Sequence, residues 1–185
     1  MSAVYKGTDP NLRRTVAIKL IHSHLAEDEE FVRRFEEEAA AVARLRHPNI
    51  IQVYDFNHDE GINYMVLEYV EGITLETRLK QLKAAGQRMP LAEVQAIMDN
   101  LCAAVGYAHE QGMIHRDLKP ANVMIRPNGE PMLMDFGIVK IVGGGNNTMT
   151  GALMGTVSYM SPEQIKGQTT DHRTDIYALG VMLYE

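Results

Sequence analysis

Hydrophobic and polar positions alternate over residues 3–6, 15–21, 50–56 and 62–69, the period of strands with one buried face. Between the second and third runs the spacing becomes helical. Phe31, Phe35, Val42 and Leu45 mark one face, with Glu27, Asp28, Glu29 and Glu30 at its start and Arg44 and Arg46 at its end, the charge order a helix dipole favours. From about residue 75 the pattern is mostly helical, and Val94, Ile97, Met98, Leu101, Val105 and Ala108 form a stripe that Gly112 closes. Gly7-Thr8-Asp9-Pro10 reads as the turn that ends the first strand, and Gly143-Gly144-Gly145-Asn146-Asn147 as a loop. The pattern predicts an α+β chain without internal repeats: a small sheet-rich lobe over residues 1–70 and a mostly helical lobe over residues 71–185.

Within the helical region, residues 123–125 and 132–134 are apolar runs around Asn128-Gly129, a strong short-range hairpin signal. A turn centred between 128 and 129 sets Asn122 opposite Asp135 at the open end of the hairpin. An amide oxygen beside a carboxylate makes a pair of hard ligands suited to Mg²⁺ that keeps waters and borrows phosphate oxygens. Asp117 and Lys119 arrive at the same edge from the preceding loop. A carboxylate and an ammonium there can orient a hydroxyl nucleophile and neutralise a transferring phosphoryl group.

Composition narrows the classes. The chain has 185 residues, 45% hydrophobic and 23% charged, enough for one sizeable core or two small lobes. A net charge of -6 argues against a nucleic-acid surface. The single Cys102 allows no intrachain disulfide and no cysteine zinc site, which fits a reducing, cytoplasmic setting. No apolar run approaches the length of a membrane span and no signal peptide precedes the first strand, so this segment is expected to make no membrane contact. The seven histidines form no cluster with metal-ligand spacing.

Glu38 falls on the apolar face of the first helix, where a lone charge is costly. Lys19 is its candidate partner, because Ala17 and Lys19 share one face of a strand expected to pack near that helix. The plainer alternative is a Glu at the margin of the stripe and a solvated Lys, and the surrounding motifs decide between them.

Those motifs, "VAIK" ending at Lys19, Glu38 nineteen residues later, "HRDLKPAN" at 115–122, "DFG" at 135–137 and "SPE" at 161–163, resemble the eukaryotic-like serine/threonine protein kinases of bacteria along the whole chain. The resemblance implies a two-lobed protein-kinase fold that takes ATP and Mg²⁺ and acts on protein substrates at Ser or Thr. Lys19, positioned by Glu38, would hold the α- and β-phosphates. Asp117 would accept or steer the substrate proton, Lys119 would meet the γ-phosphate, and Asn122 and Asp135 would hold Mg²⁺. Leu67 resembles the gatekeeper, with the backbones of Glu68 and Val70 pairing adenine between Val4, Ala17 and Met124. Val42, Val53, His115 and Phe136 resemble the regulatory stack, anchored by Asp175. Arg116 beside Asp117 is the family's mark of control by phosphorylation, for which Thr148 and Thr150 are the candidates, while Thr156 is expected near Asp117 and Lys119.

By the same resemblance the chain reads as the middle of a kinase domain, without the glycine-rich loop ahead of Val4 and without the Arg that would pair with Glu163. The resemblance also leaves room for a homodimer and a membrane anchor in the parent protein. A non-catalytic, pseudokinase-like binding module is the alternative; the missing glycine loop favours it and the intact Lys19, Glu38, Asp117, Asn122 and Asp135 count against it. A P-loop ATPase is excluded by the lack of a G-x-x-x-x-G-K-[ST] motif.

Overall fold

The computed structural model describes residues 3–20, 33, 37, 39–59, 62–136 and 157–185. Contacts gather the chain into two compact units: the described residues up to Arg46 with Ile51–Val70, and His47–Ile50 with the described residues from Glu71 onward.

In the first unit, β1 (Val4–Asp9), β2 (Arg14–Leu20), β3 (Val53–Asp59) and β4 (Ile62–Glu68) form an antiparallel sheet in the order β1-β2-β4-β3. β1 does not stop at Lys6 as its turn signal suggests. Gly7, Thr8 and Asp9 go on to pair with Val16, Thr15 and Arg14. The reversal follows, where Asp9 Oδ1 accepts the N–H groups of Asn11 (3.0 Å) and Leu12 (3.1 Å) and Arg13 takes a φ of 51°. β4 keeps the alternation expected of it, burying Asn63, Met65 and Leu67 and turning the residues between them outward.

Residues 39–43 are helical, and Ala39, Val42 and Leu45 are buried at intervals of three. Gln52 ties the end of this helical stretch to the sheet, donating through Nε2 to the carbonyls of Ala43 (3.2 Å) and Val53 (2.9 Å).

The second unit contains β5 (Ile73–Thr74), α1 (Leu75–Ala84), α2 (Leu91–Glu110), β6 (Val123–Ile125), β7 (Pro131–Leu133), α3 (Pro162–Ile165) and α4 (Arg173–Tyr184). Thr74 caps α1, its side chain accepting the Thr77 N–H at 3.1 Å. α2 buries Ile97, Leu101, Ala104, Val105 and Ala108, a stripe close to the one the sequence marks, with Val94 and Met98 half-buried at its margin. Leu101 is fully buried, a gain of about 1.5–3 kcal/mol for a side chain of that size. The helix ends where Gly112 N–H bonds to His109 O and Met113 N–H to Ala108 O, both at 2.9 Å.

The hairpin corrects the sequence reading by one residue. Val123 pairs with Leu133, Met124 with Met132 and Ile125 with Pro131, so Asn122 stands opposite Met134, whose N–H donates to the Asn122 carbonyl at 2.9 Å. Asp135 is the next residue, past the pairing. The loop is three residues long, closed by Gly129 N–H to Arg126 O and Arg126 N–H to Glu130 O, with Gly129 at φ 87°. Proline explains the length. A two-residue loop would need the N–H of residue 127 to donate to residue 130, and Pro127 has none.

β5, β6 and β7 form a small sheet in that order. His47–Ile50, which the sequence pattern places in the first region, completes it: Leu133 N–H donates to Asn49 O and Asn49 Nδ2 to Pro131 O, both at 2.8 Å, and Ile50 bridges Leu133. That use of Ile50 is why β3 begins only at Val53. Among the described residues, no helix is long and apolar enough to cross a membrane.

Candidate active site

The loop between α2 and β6 carries the motif residues of the second unit, and one buried carboxylate sets its shape. Asp175, in the first turn of α4 and 1% exposed, accepts the backbone N–H of His115 and His109 Nε2 on Oδ2 and the backbone N–H of Arg116 on Oδ1, each at 2.8 Å. The helix N-terminus adds to the stabilisation of that charge. Held in this way, Arg116 adopts φ 63°, a left-handed conformation that a non-glycine residue takes at a cost. Its carbonyl accepts from Gln164 Nε2 at 2.9 Å.

His115, 1% exposed, is oriented by two bonds that require opposite roles of its ring nitrogens. Nδ1 accepts the Asp117 N–H at 3.2 Å, so Nε2 carries the proton and donates to Met134 O at 2.8 Å. Burial depresses its pKa, against smaller opposing effects from Asp175, the Met134 carbonyl, Asp117 and Asp135. The neutral ring lies 4.7 Å from that of Phe136, centroid to centroid.

Asp117 is braced from the side that follows it. Lys119 Nζ lies 3.0 Å from its Oδ2, and Asn122 Nδ2 donates to both its carbonyl (2.8 Å) and its Oδ2 (3.1 Å). Asn122 is buried, so its amide is committed to this orientation and its carbonyl oxygen faces away from Asp117. Asp135, half-buried, follows β7 at φ 53°. Arg116 Nε is buried without a hydrogen-bond partner among the described residues. Met124 is half-buried in the middle of β6, between Thr74 and Met132.

In the first unit, Val4 stands opposite Lys19 and Ala17 opposite Leu67. Directly opposed residues share a side, so Val4, Ala17, Lys19 and Leu67 lie on one face of the sheet. Leu67 is buried, Lys19 half-buried and Val4 exposed. Glu68 closes β4 with its N–H bonded to Gln52 O at 2.9 Å, and Val70 follows, half-buried. Glu38, Thr148, Thr150 and Thr156 lie outside the described residues.

Glu163, expected without its Arg, is held by hydroxyl groups. The Thr174 hydroxyl donates to its Oε1 at 2.9 Å, and hydrogen bonds from the Ser161 hydroxyl first, then its own N–H and Thr174, hold its pKa below the usual carboxylate value. Sequence reasoning also missed His109, Thr174 and Gln164. Only Gln164 leaves a local trace: it stands three residues after Ser161, and the two form a capping box around Pro162 at the start of α3.

The chain is similar to known proteins along its whole length. A family model described as the protein kinase domain matches residues 1–185. The serine/threonine-protein kinase PknB of Mycolicibacterium smegmatis is 42% identical, with 100% of this chain and 30% of that protein covered. PrkC of Bacillus subtilis is 40% identical, with 100% and 28% covered. The chain thus spans under a third of the length of these two relatives. A crystal structure of the Mycobacterium tuberculosis PknI kinase domain superposes with a TM-score of 0.78 at 33% identity, covering 100% of this chain and 66% of that one. The fold is that of the protein kinases, and the chain belongs to the bacterial serine/threonine protein kinase family.

Proposed function

We propose that this chain carries the reaction centre of an ATP-dependent kinase that moves the terminal phosphoryl group of ATP to Ser or Thr hydroxyls of protein substrates in the cytoplasm. The observation that carries the reading is the bracing of Asp117 by Lys119 and Asn122 on a loop held in a strained turn by Asp175. A carboxylate fixed in this way is positioned to accept or steer a hydroxyl proton, and the adjacent ammonium to meet negative charge on the transferred group. Phosphoryl transfer asks for little else from side chains than such positioning.

The donor set suits Mg²⁺. An amide oxygen and a carboxylate are hard ligands, and Mg²⁺ takes one or two such protein oxygens together with waters and phosphate. Asn122, through its carbonyl oxygen, and Asp135 would hold it; bound with ATP, it would neutralise phosphate charge. Lys19, positioned by Glu38, would hold the α- and β-phosphates. Val4, Ala17, Leu67 and Met124 would enclose the base, with the backbones of Glu68 and Val70 pairing its edge. Arg116, whose Nε is buried without a partner among the described residues, would receive a phosphate on Thr148 or Thr150.

In the full-length protein that contains this chain, Asp117→Asn should lower transfer by roughly 10²–10⁴-fold and keep Mg-ATP binding. Turnover within about tenfold of the parent would refute the role of Asp117. A parent that binds Mg-ATP and transfers nothing would instead favour a non-catalytic binding module. Mass spectrometry of the active protein should find phosphate on Thr148 or Thr150, and replacing both by Ala should lower activity on a separate substrate.

A further inference from the structure

Gln164 uses both ends of its carboxamide, on partners far apart in the chain. Its Oε1 accepts the Ser161 N–H at 3.0 Å, closing the cap of α3, and its Nε2 donates to the Arg116 carbonyl at 2.9 Å, 48 residues away. Either Glu or Gln serves a capping box at this position, since the cap needs only an acceptor. Only Gln also supplies the N–H that reaches Arg116.

The carbonyl of Arg116 and the N–H of Asp117 belong to one planar peptide unit. Gln164 holds the carbonyl end, and His115 Nδ1 holds the N–H end through a longer bond of 3.2 Å. The residue on the near side of that unit, Arg116, is the one at φ 63°, a conformation that persists only where its surroundings over-determine it. Release of the carbonyl would let the plane rotate about its two flanking bonds and carry the Asp117 carboxylate with it.

We propose that Gln164 is a positioning residue for the reaction at Asp117, joining the cap of α3 to the peptide unit that bears the carboxylate. Order at Ser161, in the stretch that leads into α3, is thereby transmitted to the reacting centre. The inference rests on the reading of Asp117 given above.

Two variants in the full-length protein separate this role from that of the cap. Gln164→Glu keeps the acceptor for Ser161 N–H and removes the donor to Arg116; Gln164→Met removes both at similar size. Gln164 is only half-buried, so both variants are expected to fold, and a thermal melt checks it. Both should lower kcat on a protein substrate by about tenfold, the scale of one hydrogen bond realised in the reacting arrangement, with the KM for ATP within about twofold. Hydrogen exchange at the Asp117 amide should quicken by about tenfold in both. Parental kcat and parental exchange in Gln164→Glu would overturn the proposal and leave Gln164 a helix cap. If the parent transfers no phosphate at all, the reading of Asp117 fails, while exchange at its amide still decides whether Gln164 holds the peptide.

Discussion

Asp175→Asn tests how the loop at 115–117 is held. The carboxylate is 1% exposed and serves three donors: Oδ2 takes His115 N–H and His109 Nε2, and Oδ1 takes Arg116 N–H, all at 2.8 Å. Asparagine keeps the shape and replaces one acceptor by an N–H₂ group. The better of its two orientations leaves the oxygen at the doubly used position and turns the amide nitrogen toward Arg116 N–H, donor against donor. One buried donor without an acceptor costs about 1–3 kcal/mol. The two surviving bonds lose their charge assistance, roughly another 1 kcal/mol together. The expected loss of about 2–4 kcal/mol is a large part, though not all, of the roughly 5–15 kcal/mol that keeps a domain folded. At roughly 2–4 °C per kcal/mol for a chain of this size, the melting temperature should fall by about 5–15 °C. Circular dichroism melts of the full-length protein and the variant measure it, with Asp175→Leu as the harsher case that orphans all three donors. An Asn variant melting within about 1 °C of the parent would show that the loop is held by something other than this carboxylate.

Two further outcomes are expected. Gly72 has φ 143°, and a Cβ built on it would lie 2.1 Å from the Ile125 carbonyl oxygen; Gly72→Ala should therefore cost more than about 2 kcal/mol by denaturant melts, and a loss no larger than that of Gly86→Ala, where a Cβ meets nothing within 4 Å, would refute the clash. Burial lowers the pKa of both His115 and His47 from 6.5, so each takes up a proton in the unfolded chain before it does in the folded one; their contribution to stability is complete above that value and lost as pH falls below it. The melting temperature should then drop between about pH 7.5 and pH 5.5, before carboxylates titrate, and one that holds or rises across that window would contradict the sign.

Much of the sheet and the main helix could be read in the sequence, because alternation and helical spacing are local. The errors have local physical causes too. The turn signal after Lys6 is real, but Gly7 and Asp9 still find partners in Val16 and Arg14, so the strand outruns it. Asn128-Gly129 announces a hairpin without fixing its loop length. Pro127 fixes it, and weighing its missing N–H would have set Asn122 opposite Met134 from the start. The motif residues of the loop could be read from their spacing, but what holds them could not. The bonds from Asp175 to His115 and Arg116 span 60 and 59 residues, and that from Gln164 to Arg116 spans 48. Periodicity carries no information over such separations; only the resemblance to a family pointed to Asp175, and nothing pointed to the second bond of Gln164.

The tetrapeptide His47–Ile50 has a consequence for how this chain could be divided. Because the chain enters the second unit at His47, leaves it after Ile50 and returns at Glu71, the described residues pass between the two units three times instead of through one linker. A gene cut at residue 70 would leave β7 without Asn49, whose carbonyl and side chain both bond to that strand. It would also leave the other piece with His47–Ile50 as an internal stretch that has lost the strand it pairs with. Neither half is a cassette. Recombination that exchanged one unit for a foreign counterpart would have to carry a matching tetrapeptide with it, so the two units are expected to be inherited together and to diverge as one.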